Sequence, residues 1–175
     1  NMVKIRGFLK FVLPSMLAFA LSGVYSIADG FFVGNQLGDN ALAAVNVAYP
    51  VTAFIQAAGT GIGMGGAIQF SIAASGDQPE KRGKFFAASC ILLAAASVLL
   101  TLVFAFASAP LLRLFGAEGE TYVLAEEYLK LIVYGAVFQI FGTGLVPFLR
   151  NMGGSVAAMA AMIAGFVTNI VLDYV

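Results

Sequence analysis

An all-helical membrane protein is the fold class that this sequence predicts, and three observations predict it. Of its 175 residues, 61% are hydrophobic and 10% are charged, whereas soluble domains average roughly 45–50% apolar and about 25% charged residues. A mean hydropathy of +0.94 is too high for one globular core to hide the apolar side chains. The apolar residues also form long runs, not the alternating strands of about ten residues found in outer-membrane barrels. We therefore expect a polytopic bundle of transmembrane helices.

Five segments are long and apolar enough to cross a bilayer. A crossing needs about 20 mainly apolar residues, and this length is met by residues 8–33, 41–74, 85–107, 122–148 and 156–175. The second segment exceeds one straight crossing, so we expect it to tilt or to bend at Pro50. The chain starts at Asn1 and stops inside an apolar run, so we expect residues 1–175 to be a fragment of a longer protein. A natural five-helix product is the alternative.

Basic residues predict the orientation, because they accumulate in cytoplasmic loops. Seven lie at the N-terminus and in the second and fourth loops, against two on the other side; the seven are Lys4, Arg6, Lys10, Lys81, Arg82, Lys84 and Arg150. The N-terminus is therefore predicted to be cytoplasmic. A cleaved signal peptide is the rival interpretation of the first segment, but apolar sequence resumes at Phe31 and four further spans follow.

The composition excludes several function classes. The chain has no histidine and one cysteine, which rules out serine–histidine hydrolysis, histidine-ligated haem, thiolate zinc sites and an internal disulfide. Nine basic and nine acidic residues cancel, so no net field recruits nucleic acid. The stretch from Gly61 to Gly66 matches a dinucleotide motif in letters only. It lacks the preceding strand and following acid, and we interpret its glycines as small residues for close helix packing.

Two acids lie inside predicted spans, where a charge is expensive and indicates function. Asp29 and Asp173 fall near the outer ends of spans one and five, at similar depth, and Asn169 lies one turn from Asp173 on the same helix face. This oxygen cluster suits a proton, Na⁺ or an organic cation. The alternative is that both spans end just before the acids, which then lie in the interface. Farther in, we predict a substrate cavity lined by sparse polar or polarizable side chains: Tyr25, Gln56, Gln139 and Met162. The alternative is that the polar ones form hydrogen bonds across helix contacts. Glu126 and Lys130 are spaced to pair at the mouth of span four.

An ordered set of short motifs resembles the multidrug and toxic compound extrusion (MATE) transporters. The set comprises Pro14, the stretches 25–34, 37–38 and 41–44, Pro50, the stretches 114–117 and 125–129, and finally Arg150, Gly153 and residues 169–173. The resemblance implies an exporter of twelve helices in two bundles, of which this chain supplies helices one to five. The partners implied are the bilayer, small organic cations and the missing C-terminal bundle.

The resemblance also assigns roles to particular residues. It implies that Asp29, Asn169 and Asp173 bind the coupling H⁺ or Na⁺, with Tyr128 as the matching tyrosine of helix four. Pro14 corresponds to a proline whose bending accompanies cation binding. No other cofactor is expected, and a polar ligand from a sixth helix is absent from the sequence.

Three rival functions remain at this stage. A lipid-linked saccharide flippase of the same superfamily favours a cationic cavity, but the mid-span stretches contain no Lys or Arg. An intramembrane aspartyl protease would require a Gly-x-Gly-Asp run, and Asp173 follows Ile170, Val171 and Leu172. An inactive or structural half-bundle is the third. The short loops favour a multi-pass protein of a prokaryotic plasma membrane. The resemblance implies a transporter, and we expect no enzyme activity.

Overall fold

A computed structural model describes the backbone of residues 2–76 and 79–174, and their side chains except those of residues 2–4, 6, 10, 11, 79, 173 and 174. Over these residues the chain forms six α-helices and no strand. Their bounds are α1 (Met2–Leu37), α2 (Asp39–Ser75), α3 (Pro79–Leu114), α4 (Gly119–Tyr134), α5 (Ala136–Asn151) and α6 (Ser155–Tyr174). The all-helical prediction is confirmed. Most helices run several residues beyond the predicted spans, because helical structure continues where the apolar run ends.

Four of the described helices are long and apolar enough to cross a membrane, and a fifth crossing results if α4 and α5 are counted as one bent span. This agrees with the five predicted segments. The chain divides into two compact units. The first contains residues 1–38 and 149–175, hence α1 and α6, and the second contains residues 39–148.

Regular spacing of buried residues builds the core of the 39–148 unit. Along α2 the buried side chains recur every three or four residues, which places them on one face of the helix. The stripe on α4 and α5 continues in the same way across both helices: Ala125, Leu129, Val133, Ala136, Ile140, Gly144 and Phe148. Leu93, Phe104 and Leu112 from α3 complete the main cluster. The inward face is therefore kept through the break between α4 and α5.

The fourth predicted span contains a break that was not predicted from the sequence. It breaks at Gly135, where α4 and α5 differ in direction by 57°. The Gly135 N–H still donates to the Leu131 carbonyl at the end of α4 (2.9 Å). The Gln139 N–H donates to the Gly135 carbonyl and so begins the hydrogen bonding of α5 (3.3 Å). Thr101 of α3 donates to the Val133 carbonyl at the bend (3.4 Å). Helix α5 then continues through Pro147.

Glycines on one face of α2 let its backbone touch that of α5. A Cβ on Gly59 would lie 2.7 Å from the Ile140 carbonyl oxygen, and a Cβ on Gly63 would lie 2.6 Å from the Gly144 Cα. Gly61 and Gly65 lie elsewhere on the helix, with open space where a Cβ would be. Within the stretch from Gly61 to Gly66, the close-packing interpretation is therefore confirmed for Gly63, whereas Gly61 and Gly65 pack on no other helix in the described part of the chain.

The predicted pair at the mouth of span four is present. Lys130 Nζ lies 3.3 Å from Glu126 Oε1, one turn away on α4. At the first residues of α2 and α4, Asn40 donates a hydrogen bond of 2.7 Å to Glu120 Oε2. The Asn40–Glu120 bond therefore lies at two helix starts, whereas the Glu126–Lys130 pair lies in the middle of α4.

Candidate functional site

Helices α1 and α6 lie side by side, and an aromatic stack sets their register. The ring of Tyr25 stacks on that of Phe166 with a centroid separation of 5.0 Å and an interplanar angle of 10°. Such offset ring pairs contribute about 0.5–1.5 kcal/mol beyond the area they bury. The stack therefore fixes one point of contact between the two helices.

A second contact lies nearer the predicted cytoplasmic side. The Arg150 guanidinium lies over the Phe19 ring, 5.3 Å from its centroid, and its Nη2 donates to the Met162 sulfur (3.4 Å). From this contact to the ring stack, the chain runs from Phe19 to Tyr25 on α1 and from Met162 to Phe166 on α6. The two helices therefore run parallel, as the predicted crossing directions require.

Parallel packing places Asp29 and Asn169 at the same level. Asp29 follows Tyr25 by four residues and Asn169 follows Phe166 by three, so both lie about one turn beyond the stacked rings at 1.5 Å per residue. Because residues four apart share a helix face, Asp29 lies on the face of α1 that carries Tyr25. The half-buried side chains of Asp29 and Asn169 thus occur at one height on neighbouring helices.

The amide of Asn169 has an unsatisfied oxygen. Its Oδ1 is buried and has no hydrogen-bond partner. An unsatisfied buried acceptor costs about 1–3 kcal/mol, so a donor or a cation at this oxygen would remove a real penalty. This atom is the strongest sign of a binding site on α6.

The third predicted member of the cluster, Asp173, lies four residues beyond Asn169, in the last turn of α6. Its side chain falls outside the described residues, and so the predicted pairing of Asp29 with Asp173 stays a prediction. Among the side chains that are described, no three Asp, Glu, Cys or His come together as metal ligands. A Na⁺ site here would depend on Asp29, the amide oxygen of Asn169 and Asp173.

Two further predicted residues lie on the same pair of helices. Pro14 is buried within α1, which continues through it as one helix from Met2 to Leu37. Met162, expected to line a substrate cavity, contacts Arg150. Neither observation tests the hinge or the cavity role.

The remaining predicted residues belong to the 39–148 unit. Tyr128 is half-buried and packs against the main core cluster of that unit. Gln56 is exposed on α2, and Gln139 is half-buried in the first turns of α5, where its carbonyl accepts a hydrogen bond from Thr143 (2.8 Å). Their roles as ion or substrate ligands stay predictions.

Phe19 and Phe166 were missed by the sequence analysis, although they determine how α1 and α6 meet. Neither is polar, and one phenylalanine among 16 carries no chemical signal. Spacing alone offered a clue, since Phe166 precedes Asn169 by three residues and so lies on nearly the same helix face.

Comparison with known proteins identifies the family. The family model described as MatE matches residues 14–175. The chain belongs to the MatE family. This match confirms the resemblance, and with its apolar helices the chain is a multi-pass protein of the plasma membrane.

MatE relatives include export proteins and solved transporters. Multidrug export protein MepA of Staphylococcus saprophyticus is 30% identical over 172 residues, which cover 96% of this chain and 37% of that protein. A crystal structure of MATE in complex with MaD3S superposes with a TM-score of 0.88 at 32% identity, covering 94% of this chain and 37% of the other. A MOP superfamily transporter from Pyrococcus furiosus, for which a reverse polarity of the binding pocket suggests a different function, gives the same score and identity over 36% of its length.

These matches establish the fold and the family. The chain spans about 37% of the length of the export proteins it resembles. The chain therefore corresponds to the N-terminal part of a MatE transporter.

Proposed function

We propose that this chain forms helices one to five of a multidrug exporter and carries its coupling-ion site on α1 and α6. The observation that carries the proposal is the buried, unsatisfied Oδ1 of Asn169 at the level of Asp29. The identity with multidrug export proteins supports the choice of substrate class. A second bundle, beyond the residues present here, would complete the transport path.

The proposed mechanism is competition between a coupling ion and an organic cation. Asp29 and Asp173 offer negative charge, and Asn169 offers a neutral oxygen; such oxygen ligands suit Na⁺, and carboxylates also take up protons. Entry of H⁺ or Na⁺ from outside neutralises the acids and weakens their hold on the drug. Release of the drug outward follows, and alternating access returns the empty site inward.

The membrane potential can supply energy for drug export against a concentration gradient. One elementary charge that moves down 100 mV releases about 2.3 kcal/mol. Because 1.4 kcal/mol corresponds to about a tenfold ratio, each coupling charge in excess of the drug's own charge supports a drug gradient of more than about tenfold. The parallel contact of α1 and α6 keeps Asp29 and Asn169 at one level.

Drug efflux by the full-length transporter tests this proposal. We expect Asp29→Asn to abolish efflux while expression is retained. The amide is always neutral, so the coupling ion cannot neutralise it and thereby release the drug cation. Asp39→Asn is the matched control, since Asp39 is an exposed acid at the start of α2. Full efflux by the Asp29 variant would overturn the proposal. Measuring efflux with a pH gradient alone and with a Na⁺ gradient alone identifies the coupling ion.

The rival proposal of a structural half-bundle is distinguished by reconstitution. The 175-residue chain alone, placed in vesicles with an imposed ion gradient, should show no coupled drug transport, because the second bundle is needed for alternating access. Joining the second bundle should restore it. Coupled transport by the chain alone would contradict the two-bundle mechanism.

A further inference from the structure

A charged cavity lies where α3 ends and α4 begins, on the side away from the predicted cytoplasm. It measures about 400 Å³ and is lined by Arg113, Ala117, Glu118, Gly119 and Tyr122. All of these residues belong to the 39–148 unit, and none belongs to the proposed coupling site. The cavity is therefore separate from the proposed coupling site.

The walls of this cavity are held in place by the backbone. Helix α3 ends in a tight turn in which Gly116 donates to the Arg113 carbonyl (3.1 Å) and Ala117 donates to the Leu112 carbonyl (3.0 Å). Gly116 adopts a φ of 87°, which favours glycine. On the other side, the bond between Asn40 and Glu120 ties the start of α4 to α2. The cavity is thus formed by ordered helix ends.

Two opposite charges line the cavity without neutralising each other. Among the described side chains, no ion pair joins Arg113 to Glu118. The Arg113 guanidinium lies over the Tyr122 ring, 5.3 Å from its centroid, which orients it and leaves its N–H edge available. Glu118 caps α4 through its backbone position but makes no side-chain capping bond. One cationic and one anionic group therefore face a common space.

The flanking sequence places the cavity at the membrane surface. Leu114 and Phe115 follow Arg113 directly, with 77% and 41% of their surfaces exposed, and Val123 follows Tyr122 with 52% exposed. Exposed apolar side chains next to charged ones are the pattern of a helix end between hydrocarbon and water. A molecule that reaches this cavity from the bilayer would place its headgroup there.

We propose that this cavity binds the headgroup of phosphatidylethanolamine in the outer leaflet. The guanidinium of Arg113 matches the phosphate, since arginine recognises phosphate oxygens through its planar N–H groups. The carboxylate of Glu118 accepts hydrogen bonds from the primary ammonium. A phosphatidylcholine headgroup has no N–H to donate, and phosphatidylglycerol has no cation. The combination of the two charges thus selects the ethanolamine lipid.

Quenching by brominated lipids tests the proposal directly. The chain contains no tryptophan, so Phe115→Trp places a single reporter beside the cavity, and bromine on the acyl chains quenches it when that lipid is bound. In phosphatidylcholine vesicles, we expect brominated phosphatidylethanolamine to bind about fivefold more tightly than brominated phosphatidylcholine, as one charge-assisted hydrogen bond at a wet surface provides.

Three variants in the reporter background separate the roles of the two charges. Glu118→Gln should remove the preference for ethanolamine over choline, and Arg113→Gln should weaken binding of both lipids. Glu127→Gln is the control, because it removes an exposed acid of α4 that does not line the cavity. Equal quenching by all brominated lipids would overturn the proposal. The proposal would also be overturned if soluble glycerophosphoethanolamine displaced the bound phosphatidylethanolamine at a similar concentration. The site would then recognise a free zwitterion and not a lipid.

Discussion

The backbone of Gly144 on α5 occupies the space that a side chain of Gly63 on α2 would need. A Cβ built on Gly63 lies 2.6 Å from both the Cα and the carbonyl carbon of Gly144, far inside van der Waals contact. In a membrane the hydrophobic effect does not drive helices together, so close packing of this kind supplies much of their association. The two glycines therefore determine how near α2 and α5 approach.

Adding one methyl group at Gly63 should separate these helices. Because the neighbour is backbone and cannot rotate away, we expect Gly63→Ala to lower the free energy of unfolding by about 1–3 kcal/mol, the usual cost of overpacking. Unfolding in detergent by steric trapping measures this. Gly61→Ala and Gly65→Ala are matched controls with open space at the Cβ. They should be neutral or slightly stabilising, and equal losses in all three variants would contradict the packing assignment.

Phe148 should be among the most sensitive side chains of the 39–148 unit. It is 1% exposed and makes edge contacts with the rings of Phe70 (5.7 Å) and Phe86 (5.2 Å). We expect Phe148→Ala to cost about 3–5 kcal/mol, because it leaves a cavity among these rings. Phe138→Ala serves for comparison, since Phe138 is 80% exposed on the same helix. A similar loss at position 138 would show that burial is not what sets the cost.

Thr101 should help to hold the bend between α4 and α5. Its hydroxyl donates to the Val133 carbonyl at the break, and hydrogen bonds between membrane helices contribute about 0.6 kcal/mol on average and up to about 1.7. We expect Thr101→Val to destabilise the chain by an amount in this range. Thr168→Val is the control, because the Thr168 hydroxyl bonds to Ala164 within its own helix. No difference between the two variants would argue against a role for Thr101 at the bend.

The Arg150 contact with α1 predicts an energetic coupling to Phe19. A guanidinium over an aromatic ring contributes about 0.5–1 kcal/mol when exposed and about 2 when desolvated. A double-mutant cycle with Arg150→Lys and Phe19→Leu should give a coupling energy of at least about 0.5 kcal/mol, because lysine keeps the charge but loses the planar face. Additive effects of the two substitutions would show that the ring and the guanidinium do not interact.

Asn169 should behave as a functional residue that does not stabilise the fold. Leucine has a similar volume and removes the unsatisfied oxygen, so we expect Asn169→Leu to be at least as stable as the parent chain. In the full-length transporter the same variant should lose about tenfold or more of its ion-coupled drug efflux, because one ligand of the coupling ion is gone. Thr168→Leu, one residue away and exposed, should retain efflux. A destabilised Asn169→Leu variant with normal efflux per folded molecule would assign the residue a structural role instead.

Much of the fold follows from single-sequence patterns. Hydrophobicity alone located the crossings, since each span needs a fixed length of apolar residues, and the spacing of Glu126 and Lys130 was enough to predict their ion pair. The break at Gly135 was not predicted, because a glycine in a membrane helix is compatible with both a straight and a bent path. What selects the bend is contact with other helices, including the bond from Thr101.

The candidate site divides in a similar way. The cost of charge at membrane depth was sufficient to single out Asp29 and Asp173 from their own segments, and Asn169 followed from its place one turn before Asp173. Their common height depends on Tyr25 meeting Phe166 and on Arg150 meeting Phe19, which are contacts between residues more than 130 positions apart in both cases. Sequence periodicity acts only within a helix, so it determines which face a residue occupies. Register between helices is decided by how side chains of different helices fit together, and only the tertiary structure contains that information.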